Sequence, residues 1–259
     1  MSERHACRLM ELARSTHRYR AQRAKRDSDL RQRLKELAAK RMRFGYRRLT
    51  AMLARSGSPA NHKRVYRLYC EEGLSLRIRQ RRRIRWRGAA QRPAPVRANE
   101  RWSMDFVSDC ISNGRAIRML TLVDDYTREC PAVEVDTSLG GQRVHRVLDR
   151  VAAGRGLPEA IVLDNGPEFR SRALAAWSEE RGVRLEFIQP GKPVQNAYVE
   201  SFNGRLRDEC LNANCFTSLN DARRKIEDWR QDYNQHRPHS SLGYLPPAAF
   251  ALTQAEIQA

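Results

Sequence analysis

Several things are missing from this sequence of 259 residues, and each absence narrows what it can be. No run of about 18 apolar residues occurs, so no segment reads as a membrane-spanning helix. The opening residues, Met1-Ser2-Glu3-Arg4-His5, lack the apolar stretch of a secretory signal, and the chain is expected in the cytoplasm with no membrane partner. The six cysteines (Cys7, Cys70, Cys110, Cys130, Cys210, Cys215) form no Cys-x-x-Cys pair and no Cys/His cluster, which leaves a zinc site without support. A disulfide framework is not expected in a chain this long. No internal repeat is visible, which sets aside solenoids and propellers.

What is present is a charge imbalance. The composition, 41% hydrophobic and 31% charged, is that of a globular protein, and the net charge is +19. Residues 1–92 hold 28 Lys and Arg against 7 Asp and Glu, a net of +21; residues 93–259 hold 21 against 23, a net of −2. One third of the chain thus carries all of the excess. Such a patch displaces counterions from a polyphosphate, which makes nucleic acid the first partner to consider, ahead of a merely soluble basic surface or an anionic membrane.

The basic third reads as helices. Leu34, Leu37 and Ala38 recur at helical spacing between Arg31 and Lys40. Phe44-Gly45-Tyr46-Arg47-Arg48-Leu49 leads into Met52 and Leu53, and Ser56-Gly57-Ser58-Pro59 breaks the pattern. Asn61 then suits an N-cap, with Val65, Tyr66, Leu68 and Tyr69 as the apolar face of a following helix. Two short helices about a Gly-containing turn suit a helix-turn-helix over about 31–72, its second helix presenting Asn61, Lys63, Arg64 and Arg67, although many helical hairpins bind nothing. Residues 77–87, with Arg81, Arg82 and Arg83, read as a phosphate-gripping arm, and Pro93 and Pro95 mark a linker over 91–100.

Beyond the linker the period changes. Strands are expected at Trp102–Val107, Arg118–Val123 and Cys130–Val135, then a helix over Gly141–Ala153 and a buried strand at Ala160–Leu163. A helix around Leu174 and Trp177, a strand from Val183 to Ile188 and a helix from about Val194 to Leu211 complete the order. Three strands in a meander followed by alternating α and β make a mixed α/β sheet flanked by helices. The expected organisation is a basic helical region over 1–90, the linker, a core over 101–211 and a helical extension over 212–259.

Three acids stand out by position. Asp105 lies mid-strand among apolar residues, where an unpaired charge is costly. Asp164 ends the apolar strand and opens Asn165-Gly166-Pro167, and functional groups of α/β sheets gather at such strand ends. Glu200 shares a polar helical stripe with Asn196, Asn203 and Arg207. Three converging acids repel one another unless cations sit between them, and hard oxygen ligands suit Mg²⁺. Taken singly, each has a plainer reading: a satisfied buried acid, a turn-forming Asp and a solvated helix Glu. Asp109, Asp124, Asp125 and Glu168 compete for the same roles, and Arg207 has the alternative of a surface ion pair.

Taken together the motifs resemble a known family. Asp164-Asn165-Gly166-Pro167-Glu168-Phe169 is followed by Pro190-Gly191-Lys192-Pro193-Val194-Gln195-Asn196-Ala197-Tyr198-Val199-Glu200-Ser201-Phe202-Asn203, with 35 residues between Asp164 and Glu200. Trp102-Ser103-Met104-Asp105-Phe106, Val123-Asp124-Asp125-Tyr126-Thr127-Arg128-Glu129 and Arg237-Pro238-His239-Ser240-Ser241-Leu242-Gly243 add to the pattern, and Phe44-Gly45-Tyr46-Arg47-Arg48 resembles the helix-turn-helix segment that precedes it. This resembles the catalytic, OrfB half of the IS-three family of insertion-sequence transposases, which shares its spacing with retroviral integrases.

The resemblance implies an RNase H-like, mixed five-stranded sheet with flanking helices, preceded by a small all-α helix-turn-helix domain. It implies Asp105, Asp164 and Glu200 as catalytic ligands of two Mg²⁺ ions, with Mn²⁺ as a substitute. Arg207 matches a basic position near the scissile phosphate, and Asn165, Lys192, Gln195 and Asn196 are expected beside the active site. Further DNA contacts are expected from Arg47, Arg48, Lys63, Arg64, Arg67, Arg81, Arg82 and Arg83. Asp124 and Asp125 are assigned structural roles. Asn214-Cys215-Phe216 departs from the aromatic pair usual there. The implied partners are element ends and target DNA, a second copy at least in the synaptic complex, and an OrfA subunit or fusion. The implied setting is the bacterial nucleoid. A non-catalytic DNA-binding derivative is the alternative function, and a cellular RNase H-type nuclease is disfavoured by the basic third.

Overall fold

The computed structural model describes residues 2–18, 23–76, 93–189, 191 and 193–258. The expected arm carrying Arg81, Arg82 and Arg83 lies outside these residues, as does Lys192. The chain divides into two compact units, Met1–Ile78 and Arg79–Ala259.

The first unit holds α1 (Glu3–Leu9), α2 (Arg14–Arg18), α3 (Arg23–Lys40), α4 (Tyr46–Arg55) and α5 (His62–Glu71). Helices α3 to α5 close on Leu30, Leu34, Phe44, Leu49, Leu53, Val65, Leu68 and Tyr69. The Asn61 side chain caps α5 as expected, accepting from the Lys63 N–H at 2.9 Å. Tyr66 departs from its expected place on the apolar face. It lies one helical step, about 100°, off the Val65–Leu68–Tyr69 stripe, and it is exposed. Its ring packs instead on that of Tyr46, with centroids 4.7 Å apart.

The second unit is built on β1 (Arg101–Cys110), β2 (Ala116–Asp124), β3 (Ala132–Asp136), β4 (Ala160–Leu163) and β5 (Arg184–Phe187), in the order β3-β2-β1-β4-β5. The first three strands pair antiparallel, and β1–β4 and β4–β5 pair parallel. Helices α6 (Gly141–Arg155) and α7 (Arg172–Arg181) cover one face, burying Val144, Val147, Leu148, Leu174 and Trp177 against Trp102, Met104, Leu120 and Leu122. Helices α8 (Ala197–Glu209) and α9 (Leu219–Gln235) cover the other, packing Val199, Phe202, Leu206, Ala222, Ile226 and Tyr233 on Val107, Ile117, Met119 and Val123. Phe216, from the departing segment, is buried in this second cluster. A last helix, α10 (Pro247–Gln258), follows. The period-two alternation of β1 places Asp105 on the α8 face, with Ser103 and Val107.

Two boundaries shift from expectation. The third strand begins at Ala132 because Cys130 spends its backbone N–H and carbonyl on the Asn234 side chain, each at 2.9 Å, and Pro131 has no N–H to give. The long helix opens with a 3₁₀ turn, Pro193–Asn196, before α8 proper. The outer edge of β3 is covered by α9: Arg223 donates Nε to the Val135 carbonyl at 2.9 Å, and Arg230 donates Nη1 to the Cys130 carbonyl at 2.8 Å.

Candidate active site

Asp105 sits opposite Thr121 in the β1–β2 ladder and half-buried beneath α8. Its Oδ1 accepts from the Phe106 N–H at 2.8 Å and its Oδ2 from Asn203 Nδ2 at 2.8 Å. The Asn203 amide is fixed from its other end, since Thr121 Oγ1 donates to its Oδ1 at 2.9 Å. Asn203 stood out in the sequence only as one position of a polar stripe. Its partners on two strands could not be read there, because nothing local ties Asn203 to Thr121.

Asp164 follows the last residue of β4, and its Oδ1 accepts from the Gly166 N–H at 3.0 Å. A Cβ at Gly166 would stand 3.0 Å from that same oxygen, so the turn keeps its glycine to leave the carboxylate room. Asn165 points away from it, donating Nδ2 to the Ile188 carbonyl at 2.8 Å and tying the β4 turn to the end of β5. Glu200 lies exposed in the first turn of α8.

The acids sense one another. Burial, and then the charge of Asp164, push the Asp105 carboxyl above the ordinary range against the pull of the Phe106 N–H and the Asn203 amide. Desolvation, and then the charge of Asp105, push Glu200 up as well. Among the described residues none of the three acids forms a salt bridge, and no three His, Cys, Asp or Glu side chains are close enough to hold a metal ion as they stand. Asp105 is therefore flanked by two like charges without a closed ligand cluster.

The other residues expected near the acids make contacts of their own. Asn196 is buried before α8 and donates Nδ2 to the Met104 carbonyl at 3.2 Å, while its Oδ1 is buried without a partner among the described residues. Gln195 accepts at Oε1 from the Gln189 N–H at 2.8 Å. Arg207 is exposed two turns beyond Glu200, with Nη2 at 3.5 Å from the Ser108 carbonyl, and its charge draws the Asp105 carboxyl down. The competing acids are engaged elsewhere. Asp124 accepts from the N–H groups of Asn99, Tyr126 and Thr127 and from Arg155; Asp125 takes Arg101 Nε at 2.8 Å and the Ser103 hydroxyl at 2.5 Å. Glu168 pairs with Arg118, and Asp109 accepts from the neighbouring Cys110 N–H at 2.8 Å.

Residues 95–193 and 181–247 each match a family described as integrase core domain, and residues 25–82 match one described as HTH-like domain. The chain is 53% identical over 251 residues to the insertion element IS407 uncharacterized 31.7 kDa protein of Burkholderia multivorans, covering 97% of this chain and 91% of that one. It belongs to the IS-three family of insertion-sequence transposases. The insertion element IS476 uncharacterized 39.2 kDa protein of Xanthomonas euvesicatoria is 48% identical over 262 residues, covering 100% of this chain and 75% of that protein. The putative transposase InsK for insertion sequence element IS150 of Escherichia coli is 28% identical over 235 residues, 86% of this chain and 83% of its own length. A solved simian T-cell lymphotropic virus intasome in complex with PP2A regulatory subunit B56 gamma aligns with a TM-score of 0.51 at 18% identity, covering 80% of this chain and 70% of that one. The mixed sheet is thus the integrase, RNase H-like fold, and the transposase carries a helix-turn-helix-like region ahead of it.

In that N-terminal region several of the cations expected to face DNA also make contacts within the unit. Arg64 and Arg67 of this transposase turn onto α3, where both reach the buried Asp27 carboxylate at 2.6 and 2.5 Å, and Arg67 also reaches Glu71 at 2.6 Å. The Asp27 carboxyl is held low, first by Arg67. Their sequence spacing showed a basic helix but could not show an acid 37 and 40 residues upstream. Arg47 lies against Tyr46, donating Nε to its hydroxyl at 3.1 Å, and Arg48 lies 5.3 Å over the Phe44 ring. Lys63 is exposed on the first turn of α5.

Proposed function

We propose that this transposase cleaves the ends of its insertion sequence and joins the freed 3′-OH to a second phosphodiester, with Asp105, Asp164 and Glu200 holding divalent cations. The observation that carries this reading is Asp105 flanked by the like charges of Asp164 and Glu200, with no salt bridge to relieve them among the described residues. The donor set is all hard oxygen, which fits Mg²⁺ or Mn²⁺ and gives no foothold to thiolate-seeking metals. A pair of such ions, when bound, supplies an activated hydroxyl nucleophile and charge stabilisation for the leaving oxygen.

The chain's own residues do the positioning. Asn203, braced by Thr121, holds one Asp105 oxygen while the Phe106 N–H holds the other. Gly166 leaves space beside Asp164. In the first step hydrolysis breaks a P–O bond at an element end and frees a 3′-OH. In the second that 3′-OH forms one phosphodiester as another breaks, so no energy donor and no covalent enzyme intermediate are needed. The two ends of an element call for two copies of the chain and for end recognition, for which an OrfA subunit or fusion is the partner of choice. Incubating the protein with labelled DNA bearing its flanking inverted repeats and Mg²⁺ should yield strand-transfer products. Duplex binding without any such product would leave a DNA-binding derivative in place of an enzyme.

Arg207 supports the same reading. It stands about two turns after Glu200 on nearly the same helical face, and its helical neighbours Asn203, Gly204, Cys210 and Leu211 include no acid. An exposed side chain of this kind adds only about 0–1 kcal/mol to stability, so Arg207→Ala should melt with the parent protein. Strand transfer should fall about tenfold, and the salt dependence of binding to cleaved ends should drop by about one phosphate contact. Unchanged transfer together with an unchanged salt slope would return Arg207 to the solvated surface.

The charge asymmetry makes a separate prediction. Deleting residues 1–92, which carry the net +21, should weaken duplex binding at least about tenfold and flatten its salt dependence. EDTA should leave the binding of the full chain nearly unaltered, because phosphate contacts by Lys and Arg need no metal. Equal affinity with and without those residues would show that the basic third does not grip DNA.

A further inference from the structure

Arg128 is held in the left-handed backbone region, at a φ of 62°, which a residue with a Cβ adopts at a cost. The reversal between β2 and β3 imposes this. The Arg128 N–H donates to the Asp124 carbonyl at 2.9 Å, and the Asp124 carboxylate gathers the N–H groups of Tyr126 and Thr127. Glycine or asparagine would fit the turn with less strain. The arginine side chain instead leaves the turn and lays its guanidinium over the Tyr198 ring, 3.9 Å from the ring centre. Its Nη1 is buried with no hydrogen-bond partner among the described residues. Arg101, anchored on Asp125, lies 5.9 Å from the same ring. A guanidinium over an aromatic face is attracted by the ring quadrupole, more strongly away from water.

Tyr198 belongs to the first turn of α8, two residues before Glu200. Between them Val199 is fully buried against the sheet. Tyr198 and Glu200 therefore project about 100° to either side of the buried stripe. The start of α8 has no side-chain cap bond; it is tied down by Asn196 on the Met104 carbonyl and by the Tyr198 ring. A grip on Tyr198 at this uncapped end adds to the packing of Val199, Phe202 and Leu206 in holding the roll of the helix, and the roll bears on where Glu200 points on the other flank.

We propose that Arg128 and Tyr198 are positioning residues whose stack fixes the roll of α8 and so holds Glu200 where it can share a divalent cation with Asp105. The proposal rests on the reading of Asp105, Asp164 and Glu200 as cation ligands. It also gives the strained arginine a reason: a residue with no side chain would relax the turn and release the helix.

The test compares the full chain with Arg128→Gly, Tyr198→Leu and Tyr198→Phe, by thermal melting over a MgCl₂ titration and by the Mg²⁺ dependence of end cleavage. A cation that binds only the folded chain raises Tm, so the melting midpoint reads metal affinity without turnover. Arg128→Gly suits the positive φ and should melt near the parent in EDTA. Loss of a residue that orients a ligand typically weakens metal binding about 10–100-fold, so Arg128→Gly and Tyr198→Leu should need about tenfold more Mg²⁺ for half of the Tm rise and half of the cleavage rate. Half-saturation by DNA should not move. Tyr198→Phe keeps the ring and should keep the parent's Mg²⁺ midpoints. Parent-like midpoints in Arg128→Gly would overturn the proposal, as would a Tyr198→Phe as impaired as Tyr198→Leu. If Arg128→Gly does not fold, Arg128→Asn, which also tolerates the turn, takes its place under the same criteria. A parent chain with neither a Mg²⁺-dependent Tm nor cleavage would bring down the cation reading itself, and the positioning role with it. A normal parent with normal variants brings down the positioning role alone.

Discussion

Asp105→Asn, Asp164→Asn and Glu200→Gln should each lower end cleavage and strand transfer by about 10³-fold or more, since cation-assisted charge stabilisation supplies several kcal/mol of the barrier reduction. Duplex binding should stay within about twofold, because the basic residues proposed to grip phosphate are elsewhere. Asp124→Asn serves as the contrast: its carboxylate is spent on three N–H groups and Arg155, so its loss should appear in the melting temperature before the chemistry. The stability of the metal-free chain gives a second readout. The folded-state pKa of Asp105 lies above its unfolded value. Its ionisation therefore costs native stability as pH rises from the unfolded value through the folded one. Asp105→Asn removes that cost, so in EDTA at neutral pH it should melt no lower than the parent while losing the Tm rise on adding Mg²⁺. Full activity in Glu200→Gln would end the assignment.

The largest effect on stability should come from Arg237. Its guanidinium is almost fully buried and holds the Glu209 carboxylate with both ends, Nε to Oε2 at 2.7 Å and Nη2 to Oε1 at 2.6 Å, linking the last residue of α8 to the chain just beyond α9. The guanidinium also lies 5.4 Å over the Tyr233 ring. Removing one member of a buried ion pair takes from the other its charge partner in that contact, at about 3–5 kcal/mol. Arg237→Ala should thus lower Tm by about 10 °C in a unit of this size. Replacing both partners, as Arg237→Met with Glu209→Leu, should recover much of the loss, because apolar groups of similar volume can pack where an ion pair stood. A single variant that melts within 2 °C or so of the parent would show the pair to be better solvated than its burial implies.

The parts of this transposase that were legible in its sequence are those where local chemistry and tertiary role coincide. The apolar run of β4 before Asp164 announced a buried strand. Asn61 announced a cap, and the burial stripe Val199–Phe202–Leu206 announced the face of α8 that packs on the sheet. The ligand roles proposed for Asp105, Asp164 and Glu200 rest on the resemblance, since no single acid could establish them. What stayed hidden depends on pairs far apart in the chain. Arg64 and Arg67 read as part of a basic helix face, and their pairing with Asp27, on another helix, had no local signal. Tyr66 looked apolar because a tyrosine one step off a stripe is still hydrophobic by composition. The stack of Arg128 on Tyr198 joins a turn to a helix 70 residues later and leaves no periodic trace.

The cover over β3 bears on the order in which this protein is made. An uncovered edge strand is a template for any other strand that meets it. Here the sealing groups, Arg223, Arg230 and Asn234, lie about 90 to 100 residues downstream of the backbone they protect. As the chain leaves the ribosome, the sheet can form as soon as β5 has emerged, but its outer edge stays open until α9 follows. Any early pairing of nascent chains through β3 would compete with completion of the same molecule. A segment that encodes none of the acids thus guards the interval in which the fold is most exposed to error.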